Sequence, residues 1–360
     1  MKIAVYTIAL NEEKFVERWY ESVKDADYLM IADTGSTDGT IELAKSLGIN
    51  IVNIAIKPWR FDDARNAAMA LLPTDIDYCI SLDMDEVMAP NWREPLEQMT
   101  SGQVSYKYTW QWKDTEGTVP EFQYVSNKIH KRFGYRWKYP IHEVIGPDMR
   151  NKEHTDVLCD GLEIWHFPDH EKSRSSYIDM IYDAWVEDPT NARHILYYGR
   201  ECVAKGENEE AVKFLKMFLN NPDAQHTGER SSTYRLLSVL EPDKELEHLK
   251  SAHKEDPTRR EPIVSLAMYH FRKDEWAKSI KYLEQALRIK ERPLDYTYGA
   301  YAWEWLPYNM IVVARHNKKL KKNSETYEED KWKLNLGSYL SSNFFILDEE
   351  DKEAIVSEFK

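Results

Sequence analysis

Cysteine is scarce. Cys79, Cys159 and Cys202 are the three in 360 residues, and spacing that wide offers neither a disulfide framework nor a zinc cluster. A reducing, cytoplasmic setting is expected. No apolar run approaches the 18 residues of a membrane span. The opening MKIAVYTIAL is too short for a signal peptide and lacks its basic flank and small-residue cleavage site. Gly (13) and Pro (15) are too few for a collagenous or low-complexity chain. Ala9-Leu10-Asn11-Glu12 has no glycine, which argues against the phosphate loop of a nucleotidyltransferase. Positive charge is also in deficit. Lys+Arg number 48 against 62 Asp+Glu, a formal net charge of -14, and a chain of that sign is a poor default for gripping phosphate backbones.

What is present is apolar and aromatic. Hydrophobic residues make up 42% and aromatics 12%, enough for sizeable cores and against global disorder. The length suggests two domains. Most of the acidity lies in residues 1–170, with 18 Lys+Arg against 28 Asp+Glu. That half alternates apolar runs with helical patterns. Lys2–Ile8, Tyr28–Ala32, Asn50–Ile56 and Tyr78–Leu82 read as strands, and Glu12–Val23, Thr37–Leu47 and Asp62–Leu72 as helices. The alternation predicts βαβ units around a parallel sheet, whose ligands lie at the carboxyl ends of strands. Val104–Trp112, Gln123–Phe133, Trp137–Ile145 and Leu162–His166 read as further extended segments completing this domain.

After about Lys172 helical periodicity takes over. Leu215, Leu249 and Leu283 recur every 34 residues, as do Phe218, Ala252 and Ala286. Asn221-Pro222 and Asp256-Pro257 close two of the units, and Pro262–Ile289 is the best single one. A 34-residue period of paired helices resembles tetratricopeptide repeats. Residues 294–360 read as helices capping the stack.

The polar residues after each strand carry the chemistry. Asp83, Asp85 and Glu86 follow an apolar strand, and acids crowded there are best explained by a divalent cation, although a solvated strand end would look the same. Mg²⁺ or Mn²⁺ prefers oxygen ligands and is often shared with substrate phosphates. Asp38 suits a cap on the following helix. Asp33 stands too early for a cap and suits a base edge. Arg65 offers a cation for phosphate or for fixing a carboxylate. Tyr106, Tyr108, Trp110, Trp112 and Tyr124 suit either core packing or a stacking platform. Lys128, Lys131, Arg132, Arg136 and Lys138 form a basic stretch that suits phosphates, and Arg315, Lys318, Lys319, Lys321 and Lys322 form another, read as a solvated helix end.

Asn11-Glu12, the Asp33-to-Thr40 turn, Asp62 with Arg65-Asn66, and Asp83-x-Asp85-Glu86 occur in an order and spacing that resemble family 2 glycosyltransferases of the GT-A fold. Lys131-Arg132-Phe133 followed by Tyr139-Pro140-Ile141-His142-Glu143 resembles a later region of bacterial and phage members. The resemblance implies a Rossmann-like mixed sheet, the GT-A domain, over residues 1–170 and an all-α repeat domain over 171–360. It implies a metal-dependent inverting transfer of one sugar from a nucleotide-diphospho-sugar, UDP-linked by preference, to a saccharide or polypeptide hydroxyl. Residue by residue, Asp33 would meet the base, and Asn11, Glu12, Asp62, Arg65, Arg132 and His142 would complete the donor pocket. Asp83 would meet the ribose or the metal's water shell, and Asp85 and His166 would ligate Mn²⁺ or Mg²⁺. Glu143 is the candidate base, paired otherwise with Arg132 or Arg136, with Glu86 and Asp169 behind it. Other readings are transfer to modified bases of phage DNA, or a non-catalytic repeat scaffold. A homo-oligomer through the helical domain is a further expectation. The motifs of processive polysaccharide synthases, E-D and Q-x-x-R-W with membrane helices, are absent, which favours a single transfer.

Overall fold

Side chains on successive residues of a strand point to opposite faces, and β1 (Ile3–Ala9) is apolar on both. Ile3 and Val5 join one core cluster, Ala4 and Tyr6 another on the opposite face. A strand buried on both sides belongs in the middle of a layered α/β sheet, and that is where the computed structural model places it. The structure describes residues 1–113, 118–149, 151–169 and 177–323, with backbone alone over 111–113, 118–122 and at 320. The chain divides into two compact units, Met1–Pro189 and Thr190–Lys360.

The first unit is an eight-stranded mixed sheet of order β3-β2-β1-β4-β7-β6-β10-β5. Strands β2 (Tyr28–Asp33), β3 (Asn50–Asn53) and β4 (Tyr78–Ser81) run parallel to β1. Helices α1 (Glu13–Val23), α2 (Thr40–Ser46) and α3 (Phe61–Ala70) connect them. Strand order reverses between β1 and β4, so a crevice opens at their carboxyl ends. The expected α/β class and its alternation are therefore present. The short strand β5 (Glu86–Met88), which was not expected, follows the acidic turn. After α4 (Arg93–Glu97) come β6 (Gln103–Lys113) and β7 (Thr118–Lys131), an antiparallel pair. β10 (Asp156–His166) runs parallel to β6 and antiparallel to β5.

The single extended segment expected over Trp137–Ile145 is two strands, β8 (Tyr135–Lys138) and β9 (Val144–Pro147), paired as a separate ribbon. Tyr139 (φ 79°) and His142 (φ 50°) break the run in the left-handed region, which non-glycine residues enter at a cost. The loop between the strands carries His142 and Glu143. The aromatics behave as core residues: Tyr106 and Tyr108 are buried, and Trp110 and Tyr124 pack against the same cluster. The side chain of Trp112 lies outside the described residues.

Helix α5 (Tyr177–Glu187) falls in the first unit. The second is helical: α6 (Ala192–Lys205), α7 (Asn208–Asn220), α8 (Thr227–Leu240), α9 (Glu245–Glu255), α10 (Arg260–Arg272), α11 (Trp276–Arg288) and α12 (Leu306–Asn323). α6 packs on α7, α8 on α9 and α10 on α11. The 34-spaced residues all fall on the second helix of these pairs and are buried: Leu215, Leu249, Leu283, Phe218, Ala252 and Ala286. Of the expected capping helices α12 is described, and residues 324–360 lie outside the described residues.

Candidate functional site

The ends of β1 and β2 lock to each other through reciprocal caps. Asp38 Oδ2 accepts from Glu13 N (3.2 Å), and Glu13 Oε2 accepts from Gly39 N (3.1 Å). Thr40 Oγ1 accepts from Glu12 N (2.8 Å), and Asn11 Oδ1 accepts from Thr37 N (2.8 Å). Asp38 also accepts from Thr40 N, so it serves the starts of both helices. Asn11 takes a φ of 56° to make this junction. Asp33, 2% exposed, turns its carboxylate into its own loop and accepts from Gly35 N and Ser36 N.

Over this junction lies a cleft of about 300 Å³. Ile8 and Glu12 come from the end of β1, Arg65 from α3, Asp83 to Glu86 from the end of β4, and Lys128 from β7. His142 and Glu143 come from the β8–β9 loop, and His166 and Asp169 from the end of β10. The lining holds six carboxylates against two permanent cations, Arg65 and Lys128.

Arg65 sits on the inward face of α3 with Ala64, Ala68 and Met69 and is 4% exposed. Its guanidinium joins three elements. Nη2 lies 2.7 Å from Asp83 Oδ1, Nε donates to Glu143 Oε1 (2.6 Å), and Nη1 donates to Ser81 Oγ (3.1 Å). The Trp137 ring covers it at 4.9 Å. Burial opposes its charge, but Asp83 and Glu143 outweigh that and hold it above the usual arginine value. Glu143 is therefore paired with Arg65, not with Arg132 or Arg136. A partner 78 positions away in the chain leaves no local spacing signal.

Asp83 is the hub of the acidic turn. Burial disfavours its ionised form, but Arg65 and Lys128 prevail and hold it far below the usual carboxylate range. Lys128 Nζ lies 2.8 Å from Asp83 Oδ2 and 2.8 Å from Glu86 Oε1. Tyr108 OH donates to Glu86 Oε1 (2.5 Å), and Asp83 N donates to Glu86 Oε2 (2.9 Å). Lys128 and Tyr108 thus belong to the site. The basic stretch and the aromatic stretch pointed toward them without assigning these partners.

Asp85 stands apart from that chain. Its Oδ2 lies 3.2 Å from His166 Nε2, while Phe167 N donates to Asp85 O (2.8 Å). In the β5–β10 ladder His166 lies directly opposite Glu86. Two adjacent ligands on an octahedral divalent ion, with bonds of about 2.1 Å, stand about 3 Å apart, so Asp85 and His166 fit one such ion. Among the described residues no cluster of three or more His, Cys, Asp or Glu side chains suits a metal.

Four expected donor residues do not line the cleft: Asn11 and Asp33, engaged in the junction described above, and Arg132 and Asp62. Arg132 is not at the cleft. Its guanidinium donates to the carbonyls of Ala70, Leu72 and Pro73, closing the carboxyl end of α3, where a cation is favoured. Asp62 is bound by Arg60 (3.2 Å) and does not line the cleft. The basic stretch is dispersed rather than one surface, since Arg136 and Lys138 project outward from β8. No helix of the described residues is long and apolar enough to cross a membrane.

A mixed sheet with a cleft at the carboxyl ends of its parallel strands, lined by a carboxylate–histidine pair, defines a layered α/β class. Residues 4–147 match the family model Glycosyl transferase family 2, and the N-terminal region carries a domain of that family with a GT-A-like sheet. An uncharacterised glycosyltransferase of Rickettsia bellii is 30% identical over 109 residues, which is 30% of this chain and 35% of that protein. The lipopolysaccharide core biosynthesis glycosyltransferase LpsC of Rhizobium meliloti is 30% identical over 102 residues, 28% of this chain and 37% of that protein. The chain thus spans little more than a third of the length of these curated relatives. Among solved structures, S. aureus TarS is similar at TM-score 0.41 and 12% identity, over 72% of this chain and 56% of that one. Glucosyl-3-phosphoglycerate synthase of Mycobacterium tuberculosis, in complex with Mn²⁺, UDP and glucosyl-3-phosphoglycerate, is similar at TM-score 0.25 and 24% identity, over 30% of this chain and 44% of that one.

Proposed function

We propose that this protein is a metal-dependent, inverting glycosyltransferase that moves one sugar from a nucleotide-diphospho-sugar, UDP-linked by preference, to an acceptor hydroxyl. The observation that carries the reading is the Asp85–His166 pair, 3.2 Å apart, in the same cleft as Glu143. Asp85 and His166 would hold Mn²⁺ or Mg²⁺. The chemistry such an ion would supply there is neutralisation of charge developing on the departing diphosphate. Six carboxylates on the lining support the need for a cation, because a nucleoside diphosphate is itself an anion.

Glu143 is the base. Arg65 fixes its Oε1 at 2.6 Å, which leaves Oε2 to take the acceptor proton. As that proton leaves, the acceptor oxygen forms a bond to the anomeric carbon, and the bond from that carbon to the phosphate oxygen breaks. Attack on the face opposite the leaving group inverts the centre. A saccharide acceptor is favoured by the relative named for lipopolysaccharide core synthesis. The paired helices with buried 34-spaced residues support a tetratricopeptide-like array, which would offer the acceptor a concave face.

Asp85→Ala is expected to abolish Mn²⁺-dependent hydrolysis of UDP-sugars and transfer alike. Glu143→Gln is expected to keep donor binding and lower transfer by about 10²–10⁴-fold. A donor-hydrolysis screen in Mn²⁺ or in EDTA, followed by transfer assays, reads both. Full activity of Asp85→Ala, or in EDTA, overturns the metal assignment. Full turnover by Glu143→Gln moves the base elsewhere.

A further inference from the structure

Asp83 and Glu86 flank Asp85 in the same turn, and both reach the cleft that holds the Asp85–His166 pair. No three His, Cys, Asp or Glu side chains among the described residues are placed to hold a metal as they stand, yet carboxylates gathered on one cleft raise its pull on a divalent cation, since affinity rises with the charge of the ligand set. Here two of the three are already occupied. Lys128 Nζ bridges Asp83 Oδ2 and Glu86 Oε1 at 2.8 Å each. The bridge is anchored on every side. Arg65 holds the other oxygen of Asp83 at 2.7 Å. Tyr108 OH and Asp83 N hold Glu86, which is 1% exposed. Lys128 itself precedes Ile129, which is paired with Ile80 of β4, so the central sheet fixes where its ammonium emerges.

We infer that Lys128 is a built-in counter-ion that withholds Asp83 and Glu86 from a divalent cation, so that the cation is captured together with the donor diphosphate and not before it. This rests on the glycosyltransferase reading. With Lys128 in place the protein offers one carboxylate and one imidazole, a sparse set for Mn²⁺ that phosphate oxygens would complete. Linkage then makes the dependence mutual: UDP tightens Mn²⁺ by the factor by which Mn²⁺ tightens UDP. Lys128 acts here as a positioning residue, through the carboxylates it holds.

The test is titration of the full chain with Mn²⁺, reading free Mn²⁺ by electron paramagnetic resonance with and without saturating UDP. Wild type is expected to bind Mn²⁺ at least about tenfold more tightly with UDP than without. Lys128→Met is expected to bind Mn²⁺ without UDP about tenfold more tightly than wild type, and to show a smaller effect of UDP. Lys128→Arg, which keeps the charge, is expected to behave as wild type. Unchanged or weaker Mn²⁺ binding by Lys128→Met with a native circular dichroism spectrum overturns the inference. Should Lys128→Met not fold, the wild-type titration decides: Mn²⁺ affinity indifferent to UDP overturns it. Co-binding of Mn²⁺ and UDP to wild type, with Lys128→Met unchanged, overturns the role of Lys128 and leaves the glycosyltransferase reading standing. Wild type that binds neither Mn²⁺ nor UDP overturns both.

Discussion

Trp137, Tyr6 and His130 share one directional line of hydrogen bonds through the centre of the first unit. Trp137 Nε1 donates to Tyr6 OH (2.8 Å), Tyr6 OH lies 3.2 Å from His130 Nε2, and His130 Nδ1 lies 2.8 Å from Lys131 O. The line closes when His130 is neutral, with its proton on Nδ1. A second proton on Nε2 would break the Tyr6–His130 hydrogen bond. Burial accordingly lowers the His130 value from 6.5 to about 4. The folded state refuses a proton that the unfolded chain accepts. His130 therefore costs nothing above pH 6.5, and stability falls as pH drops from 6.5 to about 4, by about 3 kcal/mol in all. His130→Gln, which does not titrate, is expected to flatten that part of the curve. Urea unfolding of both proteins at pH 7 and pH 4.5 checks it. Equal slopes would show that the acid sensitivity arises elsewhere.

At the scale of elements, α3 and the β8–β9 ribbon form one positioning device. Asn66 on α3 grips the backbone of β8 at both ends of its amide. Its Nδ2 donates to Trp137 O (2.9 Å), and its Oδ1 accepts from Trp137 N (3.0 Å). Phe61 N donates to Pro140 O (2.9 Å), tying the following loop to the start of the same helix. Glu143 is thus held by the helix that supplies Arg65. Asn66→Ala removes two partly buried hydrogen bonds and is expected to cost about 1–3 kcal/mol. On the proposed mechanism it lowers kcat while leaving the donor KM nearly unchanged. Urea unfolding beside steady-state transfer rates checks both. The helix was legible in the sequence, because Ala64, Ala68 and Met69 recur at helical spacing around Arg65. So was the sheet, from runs such as Lys2–Ile8 and Tyr78–Leu82. The ribbon was not legible, because left-handed backbone at Tyr139 and His142 has no compositional mark. The partners of Glu143 and Lys128 were not legible either, because they depend on strand order rather than on spacing along the chain. Arg132 shows the converse. Its place in a family-like motif suggested the donor pocket, whereas the open carbonyls at the end of α3 claim it.

At the scale of the molecule, the formal charge of -14 says little about partners. Part of the excess acid is inward-facing, crowded on a single cleft and partly neutralised there by Arg65 and Lys128. The two compact units each carry their own core. Ligands of the cleft should stabilise the unit of residues 1–189 alone. Mn²⁺ with UDP at about 100 times their dissociation constant is expected to add about 2.7 kcal/mol. In urea, tryptophan fluorescence and far-ultraviolet circular dichroism should then separate, since the helical unit dominates the second signal. A common shift of both probes would show instead that the units unfold together.

The ladder between β5 and β10 sets His166 opposite Glu86, and neighbouring residues on a strand face opposite ways. Slipping that pairing by one position would bring Trp165 to the acidic turn and send the imidazole to the far side of the sheet. β10 lies between β6 and the edge strand β5, and it carries Cys159, Leu162 and Ile164 of the main core, as β5 carries Met88, so the slip would turn those side chains out of the core as well. The register that buries Ile164 is the register that delivers His166 to the cleft, so a well-packed margin of the sheet and a correctly furnished cleft are one property of this chain and not two.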